Sequence, residues 1–151
     1  MSETRVIGVD VGGSGVKAAL VDVERGELAS DRPRLDTPQP ATPERVADAV
    51  AQLVDQLGGA PTIGVTIPGV VRNGVVRTAA NIDPSWIGTD ARALFSKRLE
   101  APCVVLNDAD AAGLAEMRFG AGKGRSGVVI LLTLGTGIGS ALFVDGELVP
   151  N

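Results

Sequence analysis

The sequence predicts an α/β fold, and three observations predict it. Residues 6–22 hold an apolar, β-branched run, a turn of small residues and a second apolar run, which reads as strand, tight turn, strand. The same pattern returns over residues 129–145 at a constant offset of 123 positions, with Val6/Val129, Ile7/Ile130, Gly12/Gly135, Ala18/Ala141, Val21/Val144 and Asp22/Asp145 as identical pairs. Between them, apolar residues at helical spacing are flanked by runs of strand length, and a strand–helix–strand passage implies a sheet with a helix packed on it.

In chain order, Glu24-Arg25-Gly26-Glu27 turns the chain toward a short strand, and residues 33–43, with four prolines, read as an extended surface connection. Thr42 caps a helix with Pro43 at its first position and Glu44 in its first turn. Val46, Val50, Leu53, Val54 and Leu57 form its apolar face, and Gly58-Gly59 ends it. Residues 62–67 form a strand stopped by Pro68-Gly69, and Asn73-Gly74 sits at the tip of a hairpin. A polar loop over residues 78–88 holds the only tryptophan, Trp86, which either covers the apolar face of a sugar or anchors the loop to the core. Thr89 or Asp90 caps a helix ending near Leu99. Residues 103–106 are a short buried strand, and a helix through Phe119 follows until Gly120, Gly122 and Gly124 break it.

The chain has 151 residues, room for one domain or for one domain and part of another. Aromatics make up 3% against 44% hydrophobic residues, so the core is built from Val, Leu, Ile and Ala. No histidine is present, which removes Ser–His–Asp and Cys–His catalysis and any histidine-based metal site. Acid–base work therefore falls to carboxylates. Cys103 is the single cysteine, so there is no internal disulfide and no cysteine-built zinc site, in keeping with a reducing cytoplasm. A net charge of −4 argues against a nucleic-acid partner. The first five residues lack the shape of a signal peptide. Residues 126–144 are uncharged and long enough to suggest a membrane span, but a Gly-Thr-Gly-Ile-Gly centre divides them into two strand-length halves, the pattern of a buried hairpin.

The glycine turns carry the first chemical signal. Glycines allow φ > 0 and a close approach of backbone N–H groups to a phosphate. Asp10, at the end of the entering strand, can hold Mg²⁺ through water beside such phosphates. A dinucleotide fingerprint fits poorly, because Gly13-x-Gly15-x-x-Ala18 is followed by a strand pattern rather than a helix. A P-loop fails because Lys17 lies between Val16 and Ala18. The second signal is Asn107-Asp108-Ala109-Asp110 at a strand-to-helix junction, where α/β sites lie. An Asp there is commonly a cap. With Asn107 before it, two glycine hairpins and no histidine, Asp108 rises above the cap reading, while Asp110 is a cap or a supporting group. Arg118, Lys123 and Arg125 form a basic cluster, either a solvated loop or an extension of a cationic track.

These residues resemble the ROK group of sugar kinases in the actin-like ATPase superfamily, and within it the polyphosphate glucokinases of actinobacteria. Asp10-x-Gly12-Gly13-Ser14-x-x-Lys17 is similar to the first phosphate motif, residues 134–139 to the second, and residues 106–113 to the sugar-binding and catalytic segment. Residues 37–43, 75–81 and 85–89 are similar to the polyphosphate branch. The resemblance implies an actin-like (ribonuclease H-like) fold, with an N-terminal domain over residues 1–108 and a connecting helix plus the opening strands of a second domain over 109–151. It implies that Asp108 takes the proton from the glucose 6-hydroxyl, and that Gly69, Asn81, Asn107 and Asp108 hold the sugar. Asp10, Val11, Gly12, Gly13, Ser14, Gly15, Lys17, Gly135, Thr136 and Gly137 would hold the donor phosphates, with Asp10 near Mg²⁺. The resemblance further implies inorganic polyphosphate and also ATP as donors, and a cytoplasmic homodimer without nucleic-acid or membrane partners. The alternatives are an ATP-dependent ROK kinase for another hexose and an inactive sugar-binding fragment. A ROK-type repressor is disfavoured because only five residues precede the first strand. The family continues beyond residue 151 with a Glu-x-x-His segment. The expectation is therefore an N-terminal portion, weakly active or inactive alone, with an exposed apolar face over residues 127–149.

Overall fold

The computed structural model describes residues 5–150 apart from Thr136. Strands β1 (Arg5–Val11) and β2 (Gly15–Asp22) form the first glycine hairpin, with Val11 opposite Val16 and Arg5 opposite Asp22. β3 (Glu27–Leu28) and β4 (Arg34–Asp36) both pair with β2. The segment read as a surface connection thus contains a sheet strand, and Thr37 just after it is 6% exposed. Alternating apolar residues had no room to announce a three-residue strand among prolines.

α1 (Pro43–Gln56) follows, with Thr42 at its N-cap, although the threonine hydroxyl makes no capping bond. β5 (Ile63–Ile67) lies parallel to β1, and β8 (Cys103–Asn107) lies parallel to β5, giving the order β3-β2-β1-β5-β8 with β4 beside β2. β6 (Val71–Arg72) and β7 (Val75–Val76) make the small hairpin whose Asn73 and Gly74 are both left-handed, as its two-residue turn requires. α2 (Ala91–Leu99) is capped by Asp90, whose Oδ1 accepts from the Ala93 N–H at 2.9 Å.

One face of this sheet carries Ile7, Val9, Val11, Val16, Ile63, Val65, Ile67 and Val105, all buried in one core with Val46, Val50 and Leu53 of α1 and Phe95 of α2. Each such side chain contributes about 1.5–3 kcal/mol on burial. Trp86 belongs to this core. It is fully buried, its Nε1 donates to the Ala41 carbonyl at 2.8 Å, and its ring lies 6.0 Å from that of Phe95. It anchors the loop and offers no face to a sugar. Cys103 is buried, and that burial pushes its thiol pKa up, away from the reactive thiolate.

α3 (Asp108–Phe119) leaves β8 and packs on the second sheet, built from β9 (Val128–Leu134), β10 (Ile138–Val144) and β11 (Glu147–Val149) in the order β11-β10-β9. Small residues set this approach. A Cβ at Gly113 would lie 2.7 Å from the Phe143 ring and 2.9 Å from Ala141, so α3 reaches the sheet only because residue 113 has no side chain.

β1 and β9 span the same residues under the 123-position offset, so the repeat is structural. The pairing differs by one step: Val11 faces Val16 across a four-residue turn, whereas Leu134 faces Ile138 across three. The faces also differ in cover. Ile7, Val9 and Val11 are at most 3% exposed under α1, whereas their counterparts Ile130, Leu132 and Leu134 are 63%, 62% and 81% exposed. The apolar face anticipated over residues 127–149 is present. Replacing Ile130 and Leu132 together by Lys in the 151-residue chain is expected to lower hydrophobic-dye binding and self-association in sedimentation. Because both side chains point away from α3, the thermal midpoint should hold. A large fall in that midpoint would show that the face is covered.

Candidate active site

The C-terminal ends of three neighbouring parallel strands define the site. Asp10 of β1 pairs with Thr66 of β5, and Thr66 pairs with Leu106 of β8, so the three share one row. Two strand spacings put Asp10 and Leu106 about 10 Å apart, and Asp108 begins α3 two residues later. Ligands of open α/β sheets bind at this edge.

Asn107 organises the junction. Its Oδ1 accepts from the backbone N–H of Ala109 at 2.9 Å and of Asp110 at 3.1 Å, which makes it the N-cap of α3. Its Nδ2 donates to the Gly69 carbonyl at 2.9 Å. Neither Asp108 nor Asp110 is the cap, which settles the alternative left open for Asp110. Asp108 lies exposed in the first turn, with Oδ1 accepting from the Ala109 N–H at 2.8 Å. Asp110 is buried and engaged within the fold.

Gly69 is there for space. A Cβ at that position would collide with the Thr78 carbonyl oxygen, and the loop is closed by the Val70 N–H donating to Thr78 Oγ1 and the Ala80 N–H donating to the Pro68 carbonyl, both at 2.9 Å. Asn81, with φ of 60°, follows and packs on the first glycine turn: a Cβ at Gly13 would sit 2.8 Å from both the Cβ and the carbonyl oxygen of Asn81. Asn107 is therefore bonded to Gly69, Gly69 lies against Thr78, and three residues further on Asn81 lies against Gly13.

The second hairpin joins on the other side of Asp108. A Cβ at Gly139 would lie 3.0 Å from the Cβ of Ala109. Gly135 donates its N–H to the Gly137 carbonyl at 3.0 Å, while Thr136 lies outside the described residues.

The glycines do not act as expected in one respect. Among the described residues, Gly12, Gly13, Gly15, Gly135, Gly137 and Gly139 are absent from the left-handed region that Gly26, Gly74 and others occupy. At Gly13, Gly15 and Gly139 the lack of a side chain serves close packing rather than φ. Sequence alone gives no means of telling these two uses apart.

Around the first turn, Asp10 is exposed and accepts at Oδ1 from Thr66 Oγ1 at 2.9 Å, and Lys17 is its cross-strand neighbour. Val11 is fully buried, so only its backbone is available to a ligand. The Gly12 N–H donates to the Gly15 carbonyl at 2.9 Å and is committed to the turn. The basic cluster lies elsewhere. Arg118 is ten residues along α3 from Asp108, about 15 Å of helix, with its guanidinium 5.1 Å from the Phe119 ring centre. Sequence reading missed Thr66, Thr78 and Arg34, and saw no structural role for Thr37. Each acts through a hydrogen bond to a residue at least eight positions away and belongs to no local pattern.

Among the described residues no three acidic or sulfur ligands converge on a metal point. A magnesium bound chiefly by phosphates and water needs only one or two carboxylates, so exposed Asp10, held by Thr66, fits that role.

A family model described as the ROK family matches residues 6–150. The chain belongs to the ROK family. It is 56% identical to the polyphosphate glucokinase of Mycobacterium leprae, over 99% of this chain and 47% of that protein. It is 58% identical to the polyphosphate glucokinase of Mycobacterium tuberculosis, over 95% and 55%. The crystal structure of the inorganic polyphosphate/ATP-glucomannokinase from Arthrobacter sp. strain KM superimposes with a TM-score of 0.93 at 53% identity, covering 99% of this chain and 62% of the other. A ROK glucokinase from Streptomyces griseus, in complex with glucose and AMPPNP, gives 0.84 at 37% identity, over 96% and 46%. The chain thus has the actin-like fold of ROK sugar kinases and spans about half the length of the curated relatives it matches.

The Asn107 geometry separates its two ends. Asn107→Asp keeps the capping oxygen and loses the donor to Gly69, whereas Asn107→Ala loses both. Alanine is expected to lower stability by about 1 kcal/mol for the cap and about 1 kcal/mol more for the stranded Gly69 carbonyl. Aspartate should cost only the second part, measured by urea unfolding. Equal losses for the two variants would refute the division of labour.

Proposed function

We propose that the protein transfers a phosphoryl group from inorganic polyphosphate, and also from ATP, to the 6-hydroxyl of glucose. One observation carries this reading. The residue before Asp108 is bonded to the Gly69 loop, and the residue after it packs on Gly139 of the second glycine hairpin. Asp108 therefore sits at the seam between a polar loop and two glycine turns, the place for a base that acts on an alcohol beside a phosphoryl donor. The names of the M. leprae and Arthrobacter relatives agree with this substrate pair.

In this reading Asn81 and the second N–H of Asn107 Nδ2 bond sugar hydroxyls, while Gly69 shapes the loop wall. The hydroxyl oxygen attacks the terminal phosphorus, the bond from phosphorus to the leaving phosphate breaks, and the hydroxyl proton passes to Asp108. Such transfers depend mainly on in-line placement and charge neutralisation. Backbone amides of Gly13, Ser14 and Gly15 in the first turn and of Thr136 and Gly137 in the second hold donor phosphates, with Lys17 nearby, while the Gly12 and Gly135 amides close their own turns. Asp10 would hold Mg²⁺ beside the phosphates, where the ion would supply charge neutralisation. We place the boundary between the two domains at residues 108 and 109, and the active protein in the cytoplasm as a homodimer. Among the described residues, no helix is long and apolar enough to cross a membrane.

Asp108→Asn and Asp108→Ala are expected to lower glucose phosphorylation by about 10²–10⁴-fold, while glucose affinity in calorimetry falls far less, by about the loss of one hydrogen bond for Asp108→Ala. Parallel assays with polyphosphate and ATP across several hexoses test the donor and the sugar. Activity within a few-fold of the unsubstituted protein in Asp108→Ala would remove the base from the mechanism. Turnover only with ATP and a different hexose would favour the second reading, an ATP-dependent ROK kinase.

A further inference from the structure

The short strand β4 and the residue after it bind the first glycine turn from outside. Thr37, 6% exposed, donates its hydroxyl to the Gly12 carbonyl at 2.5 Å and its N–H to the Ser14 carbonyl at 3.3 Å. Arg34 donates from Nη2 to the same Ser14 carbonyl at 3.0 Å while its Nη1 is held by Asp36 at 2.7 Å. The guanidinium lies flat on Gly15, where a Cβ would come within 2.5–2.8 Å of it.

A peptide unit is planar and trans, so a carbonyl and the N–H of the next residue point in opposite directions. Fixing the Gly12 carbonyl fixes the direction of the Gly13 N–H, and fixing the Ser14 carbonyl fixes that of the Gly15 N–H. A turn of Gly-Gly-Ser-Gly would otherwise have unusual rotational freedom. We propose that Thr37 and Arg34 are positioning residues that pre-set these two amides for the phosphoryl donor, acting through the turn. The proposal rests on the phosphate reading of that turn and names what makes the turn rigid enough to work, since binding is stronger when the ordering is done beforehand.

The test is a titration of ¹⁵N-labelled protein with sodium tripolyphosphate, following the Gly13 and Gly15 amide resonances. In the unsubstituted protein both should shift. In Thr37→Val, which keeps the branched shape and removes the hydroxyl, half-saturation should move to about three- to ten-fold higher concentration, as the loss of one hydrogen bond implies. Thr37→Ser should restore it. Arg34→Lys keeps the charge but loses the flat fork, so it should weaken binding with the larger change at Gly15. If Thr37→Val and Arg34→Lys both bind within two-fold of the unsubstituted protein, the positioning role is wrong although the phosphate turn stands. If Arg34→Lys alone is unimpaired, Arg34 contributes only charge and its share of the proposal falls. If neither glycine amide responds in the unsubstituted protein, the phosphate reading fails and the proposal with it. A general loss of structure would also shift resonances of β5 and β8, and these should stay in place.

Discussion

The architecture of the site depends on one side-chain amide. Asn107 is the last residue of β8, and its two ends do different work: the oxygen satisfies two of the N–H groups that a helix start leaves unpaired, and the nitrogen holds the carbonyl of Gly69. That couples the direction in which α3 leaves the sheet to the position of the loop after β5. The carboxylate of Asp108 rides on the first turn of that helix, so its placement relative to the loop is set by the same amide. A serine or aspartate could cap the helix, but neither offers an N–H to Gly69. Requiring both functions at one position is what selects asparagine there.

The helix also has to belong to two sheets at once. Its first turn is fixed to the first sheet through Asn107, while Ala109 and Gly113 let it lie against Gly139, Ala141 and Phe143 of the second. Larger residues at 109 or 113 would push the second glycine hairpin away from Asp108. The small-residue content of α3, which reads as mere helix propensity in the sequence, is what sets the distance between the two turns.

The elements were legible because their signals are local. The apolar face of α1, the Asn73-Gly74 hairpin, the end of β5 at Pro68 and the strand-to-helix junction at residues 107–108 each lie within a few residues of sequence. The repeat of β1 and β2 as β9 and β10 was legible for the same reason. What stayed hidden is long-range. The one-residue difference in hairpin pairing does not show in a gapless alignment, because pairing is set by the turn and by what each sheet packs against. Thr37 looked like part of a proline-rich connection, and its hydroxyl finds Gly12 only after β4 has joined the sheet. The glycines were read as a source of positive φ, when in the fold Gly13 and Gly15 make room for Asn81 and Arg34. Trp86 shows the opposite case, a residue with two chemical readings that burial alone decides.

The form of the first glycine turn, on its proposed phosphate reading, also bears on donor choice. Backbone amides of a glycine turn recognise phosphoryl oxygens and charge, and those are the same at the end of a polyphosphate chain and at the γ-phosphate of ATP. Of the turn's four residues only Ser14 has a polar side chain to offer a base or a ribose. On the proposed reading, stiffening the turn through Thr37 and Arg34 would improve its hold on both donors by the same factor, since the terminal phosphate is common to both. Discrimination between them therefore has to come from groups that meet the rest of the donor, beyond its last phosphates. In the proposed mechanism, residues 12–15 would set how well a phosphate is held in line with the sugar hydroxyl, and so govern rate, without governing which donor delivers it.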